Sequence, residues 1–186
     1  MTQMQLIQHI SAFDKHIKVV KLRSKLKEDP FSLSELVDLT LHIDQAIALK
    51  ASRLLETMLL KFPESYGHEA GYLVERIAFI KYDSCKKHYA KIIMHITSPD
   101  VSKPVRTQVK DINFEEAVQL CFNWLKDPKM LTRVRASAAE ALFNLRHRYP
   151  WIAESLSKQL EMIMPTATPM LAARGNYILS FLHPED

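Results

Sequence analysis

Apolar residues recur along this chain with the 3.6-residue period of a single helix face, and no stretch alternates apolar and polar residues as a half-buried strand would. From Asn113 the apolar positions are Phe114, Val118, Cys121, Phe122 and Leu125. Between Asp44 and Phe62 the predicted buried arc is Ile47, Ala51, Leu54, Leu55, Met58, Leu59 and Phe62. Between Met130 and Tyr149 it is Leu131, Val134, Ala138, Ala141, Leu142, Leu145 and Tyr149. Two capping signals mark helix starts, Ser32 with Glu35 just after Asp29-Pro30, and Asn113 with Glu116.

Proline positions complete the segmentation, because a proline inside a helix removes a hydrogen bond and clashes with the preceding turn. Prolines at 30, 63, 99, 104, 128, 150, 165, 169 and 184, read with the caps, predict helices at 3–12, 15–27, 32–42, 44–62, 65–80, 83–97, 113–126, 130–149, 151–164 and 170–182. The one long connection, 98–112, carries Pro99, Pro104 and several β-branched residues and is expected to be non-helical.

A shift of 87 residues brings two parts of the chain into register. Ile47 meets Val134, Ala51 meets Ala138, Leu55 meets Leu142, Met58 meets Leu145, Phe62 meets Tyr149, Pro63 meets Pro150 and Leu73 meets Leu160. The physical reading is a helix, a Pro-marked corner and a second helix folded back. Such a pair cannot bury both of its faces alone, so pairs must stack. The segment Arg133-Val134-Arg135-Ala136-Ser137-Ala138-Ala139-Glu140-Ala141-Leu142, with Asp127-Pro128 before it and Leu145 and Tyr149-Pro150 after it, resembles a HEAT-type (armadillo-like) repeat. The resemblance covers 127–164 and 44–80 and does not extend to 1–30 or 98–112. It implies one all-α domain over 1–186, a right-handed superhelix of about four to five antiparallel helix pairs used as a scaffold or binding surface.

Composition narrows the chemistry. The 186 residues include only three glycines, too few for a Gly-rich phosphate loop. Gly67 and Gly71 have GxxxG spacing, but the polar residues around them exclude a membrane dimer. The N-terminus lacks the regions of a signal peptide, and no run approaches the ~18 apolar residues of a membrane span. Cys85 and Cys121 have neither disulfide nor zinc spacing and are expected to be free thiols in the cytoplasm. His88 and His95 lie seven apart, which places the rings about 10 Å apart along a helix axis, so they read as solvated helix histidines and no metal or other cofactor is expected. Glu115 and Glu116 diverge and serve a helix N-terminus. No nucleophile elbow occurs, and Met164-Pro165 is a bare dipeptide outside the long signature loop of the aspartase–fumarase lyases.

Cations are the remaining lead. With 25 Lys and Arg against 21 Asp and Glu the formal charge is +4, mild overall but clustered. Lys86, Lys87 and Lys91 share the polar side of one helix, Lys103, Arg106 and Lys110 lie in the long connection, and Arg133, Arg135, Arg146 and Arg148 flank another helix. The predicted function is therefore a non-catalytic scaffold that binds a protein or other acidic partner through its concave surface and the 98–112 segment. Lys87, Lys91, Lys103, Arg106, Arg135 and Arg146 are the predicted contacts. The alternative is a nucleic-acid-binding protein similar to the HEAT-like alkylpurine DNA glycosylases, for which Trp124, Asp127, Trp151, Arg135 and Arg148 would be the residues to watch. In the scaffold reading both tryptophans are wedges between repeats.

Overall fold

A computed structural model describes residues 3–12 and 32–183. The predicted helix at 15–27 lies outside the described residues. All regular structure among the described residues is helical: α1 (Gln3–Ala12), α2 (Leu33–Thr40), α3 (Gln45–Lys61), α4 (Pro63–Tyr66), α5 (Ala70–Arg76), α6 (Asp83–Ile96), α7 (Lys103–Val109), α8 (Glu115–Lys126), α9 (Thr132–Leu145), α10 (Trp151–Ile163) and α11 (Pro169–Leu182). A short 3-10 turn at Gly67–Glu69 joins α4 to α5 and another at Ile77–Phe79 extends α5, giving one irregular helical stretch where the sequence predicts a single helix.

The helices pack in two rows. In the first row α2 contacts α5, α5 contacts α8 and α8 contacts α10; in the second, α3 lies on α6, α6 on α9 and α9 on α11. Between rows, α2 packs on α3, α8 on α9 and α10 on both α9 and α11. Helices α3 and α9, which the shift of 87 residues aligns, both follow a first-row helix and both sit in the second row. Helix α9 touches α6, α8, α10 and α11, and it buries residues nearly all round its circumference, from Val134, Ala138 and Ala139 to Leu142, Phe143 and Leu145. Alanines at such a crossing let helix axes approach, and leucines fill the space toward the partner row.

Local chemistry explains the helix starts. Ser32 and Glu35 form a reciprocal capping box, the Ser32 hydroxyl accepting from Glu35 N at 3.2 Å and Glu35 Oε2 accepting from Ser32 N at 2.9 Å. Asp44 Oδ1 accepts from Ala46 N at 2.7 Å and so starts α3. The predicted box at Asn113 does not form. Helix α8 begins with Phe114 at its cap, and the Asn113 side chain accepts from Glu115 N at 2.9 Å without a return bond from Glu116. Tyr149 fixes this corner from α9's end, its hydroxyl accepting from Phe114 N at 3.0 Å.

Two expectations need correction. Leu131, placed in the buried arc, is 48 % exposed, because it precedes the first turn of α9 and projects away from the packed face. The 98–112 segment is not a non-helical loop, since it contains α7. Pro104 sits in that helix's first turn, where a missing N–H costs no bond and the fixed φ is already helical. Val101, Val105 and Val109 then fall on one face at four-residue spacing and are all buried. Helix α7 rests on the Gly67–Glu69 turn, with the Gln108 amide lying where a Gly67 side chain would stand and donating to Glu64 O at 3.1 Å.

Candidate binding site

Two grooves collect most of the candidate residues. The first, about 910 Å³, runs across the second row and is lined by α3, α6, α9 and α11. Its charged lining is Lys87, His88 and Lys91 from α6, Arg133 and Glu140 from α9, Arg174 from α11 and Glu56 from α3. Met94, Ala136, Met170 and Tyr177 supply apolar surface between the charges. Helical spacing explains the arrangement: Lys87, Lys91 and Met94 recur on the side of α6 opposite to Cys85, Tyr89, Ile92 and Ile96, which are buried.

Ion pairs neutralise part of this groove. Lys91 Nζ lies 2.5 Å from Glu56 Oε1, and His88 Nδ1 donates to Glu56 Oε2 at 2.6 Å. Burial acts to raise the Glu56 carboxyl, yet the hydrogen bonds from His88 and Lys91 outweigh it and hold the group below its ordinary value. Arg174 pairs with Glu140 at 2.5 Å. Lys87 and Arg133 have no carboxylate partner among the described residues. His88 is only 8 % exposed, and its Nε2 has no hydrogen-bond partner, so it is not the solvated histidine expected. His95 is half-buried, and that burial, with Lys91 close by, lowers its pKa.

The second groove, about 590 Å³, lies between the end of α6, the α7 segment and the end of α9. Arg106, Lys110, Arg146, His147 and Arg148 line it, together with Thr97, Ser98, Asn144 and apolar Val101, Val109, Phe114 and Leu145. Among the described residues no carboxylate lines it. The three guanidinium groups are held by main-chain carbonyls instead. Arg106 donates to Pro99 O at 2.6 Å, Arg146 to Phe143 O at 2.6 Å, and Arg148 to Val109 O at 3.4 Å and to Ile112 O. Arg146 also lies 3.7 Å from the Phe143 ring centroid, and partial burial lowers its pKa.

No family model matches the chain, and comparison with curated proteins and with solved structures finds no significant match. The six predicted contact residues are thus placed by geometry alone. Lys87 and Lys91 share the first groove; Arg106 and Arg146 share the second. Lys103 is exposed at the start of α7 and lines neither. Arg135, expected on a binding surface, is instead 8 % exposed, and its Nε donates to Leu125 O at 3.0 Å, tying α9 to the end of α8. Arg133 and Arg174, absent from the predicted contacts, belong to the first groove, and Lys110 and Arg148 to the second.

Of the residues singled out for the glycosylase alternative, Arg148 lines the second groove and Arg135 is buried against the end of α8. Trp124 is buried, and Trp151 stacks on Phe122 with ring centroids 5.7 Å apart. Asp127 accepts from Lys129 N in the turn after α8, and none of the three lines either groove. Both thiols are buried and free; burial alone pushes Cys121 up to about 12, far from a nucleophile's range. Among the described residues no group of three or more His, Cys, Asp and Glu is placed to hold a metal ion, and no helix is long and apolar enough to cross a membrane.

Proposed function

We propose that this chain is a HEAT-like scaffold that binds an acidic polypeptide segment in the groove across its second row of helices, with no catalytic step. The two rows and the 87-residue register support stacked helix pairs; the HEAT-like reading makes of them a right-handed superhelix with the second row on its concave side. Two buried free thiols fit work in the cytoplasm.

The observation that carries the reading is the pair of uncompensated cations, Lys87 and Arg133, in a groove shared by four successive helices. Helix spacings of about 8–10 Å make such a row roughly 25–30 Å long, the reach of about eight extended residues. Exposed Met170 and Tyr177 offer apolar contact beside the cations, so an acidic segment with interspersed apolar side chains fits the lining best.

Fluorescence anisotropy with a labelled peptide of mixed Asp, Glu and Leu tests this. Binding should weaken as salt rises, and the double reversal Lys87→Glu with Arg133→Glu should weaken it by at least about tenfold. Equal affinity of the reversed and natural chains for the peptide would overturn the proposal.

A further inference from the structure

The second groove has a different chemistry from the first, and from it we infer a site for a diphosphate group, formed by Arg106, Lys110, Arg146 and Arg148 at the junction of α7 with the end of α9.

Three features point to this ligand. Three arginines and a lysine line this one groove, and no carboxylate among the described residues lines it with them. Asp100 and Asp111 are close along the chain, but both are exposed and neither lines the groove. Each guanidinium is fixed through Nη atoms that donate to backbone carbonyls, and these bonds set its orientation while leaving its positive charge unneutralised. The remaining N–H groups, Nε among them, stay available to a ligand. Arginine forks held in place match the oxygens of phosphates with little further loss of freedom on binding.

Charge selects diphosphate over carboxylate. One carboxylate would leave most of this positive charge uncompensated, whereas two linked phosphoryl groups carry several negative charges and an array of terminal oxygens for the forks. Buried Val101, Val109, Phe114 and Leu145 form an apolar floor to the groove. The size of the groove suits a small molecule. Inorganic diphosphate and the end of an organic ester share this chemistry.

Isothermal titration and phosphorus NMR on the full chain at low salt test the site, with pyrophosphate, ADP, orthophosphate and sulfate as probes. Pyrophosphate should bind more tightly than orthophosphate or sulfate and weaken as salt rises. ADP binding as tightly as pyrophosphate or more so identifies an organic ester as the occupant, and weaker ADP binding identifies the inorganic ion. Arg146→Gln should weaken pyrophosphate binding by about 10- to 100-fold, and Arg146→Lys should restore only part of it, since a lysine keeps the charge and loses the fork. Because Arg146 also holds Phe143 O, Lys110→Gln serves as a second variant; exposed and without a structural hydrogen bond, it should lose about three- to tenfold with an unchanged melting temperature. Lys91→Gln, in the first groove, should leave pyrophosphate binding unaltered. Absence of pyrophosphate binding, no preference over sulfate, or indifference to both Lys110→Gln and Arg146→Gln would overturn the assignment. The acidic-peptide reading of the first groove stands or falls separately.

Discussion

The two grooves handle positive charge in opposite ways. In the first, carboxylates from neighbouring helices reach the cations: Glu56 takes His88 and Lys91, and Glu140 takes Arg174. In the second, no acid among the described residues is within the lining, and backbone carbonyls hold the arginines. Side-chain ion pairs cancel charge and spread what is left along the groove. Carbonyl partners orient a guanidinium and satisfy some of its donors without cancelling its charge. A surface of the first kind suits an extended partner read at several points, and one of the second kind concentrates its field on a compact anion.

Variants separate the roles that these cations play, beginning with a buried one that lines neither groove. Arg135→Ala should cost about 2–3 kcal/mol of folding stability in urea denaturation, because it deletes a charged donor to Leu125 O and the buried stem that packs beside it. A cost below about 0.5 kcal/mol would show that the tie between α8 and α9 contributes little.

Glu56→Gln should cost about 1–2 kcal/mol at neutral pH and at the same time tighten acidic-peptide binding, since it removes a negative charge from the first groove. It also predicts a pH signature. The folded-state pKa of Glu56 lies below its ordinary 4.5, so its contribution to stability is present above that value and is lost as pH falls through the lowered folded pKa. Natural protein should therefore lose this part of its stability on acidification, and the glutamine variant should show a shallower decline. Parallel acid-denaturation curves for the two proteins would show that Glu56 is not the group responsible.

Smaller effects sharpen the contrast between grooves. Lys87→Glu alone should weaken peptide binding about three- to fivefold while changing stability by less than about 0.5 kcal/mol, as a half-exposed cation with no carboxylate partner among the described residues has little to lose on folding. Lys103→Glu should be the quietest, within about 0.5 kcal/mol in stability and unchanged toward either probe, because it lies outside both linings. A marked loss of peptide affinity in that variant would extend the binding surface onto α7.

Much of the helical organisation is legible along the chain, and the misses share a cause. Ser32 with Glu35 acts locally, so its spacing suffices to place α2, whereas the Asp44 cap of α3 is seen only in the structure. Pro104 reads as a breaker because its helix is short. Whether a proline ends a helix or begins one depends on the residues after it, and here Val105 and Val109 find a surface to pack on only after the Gly67–Glu69 turn is in place. Arg135 and Arg133 sit two apart in one cationic run, yet one is buried under the end of α8 and the other faces the first groove. Periodicity assigns them to different sides of α9 without saying which side a neighbouring helix covers.

What the chain alone determined is the all-helical class and most helix positions, because period, caps and prolines act over a few residues at a time. Tertiary packing alone decided which cations remain free. Where the partner lies tens of residues away, as Glu56 does from Lys91 and Ile112 O from Arg148, the contact exists only once the rows have stacked.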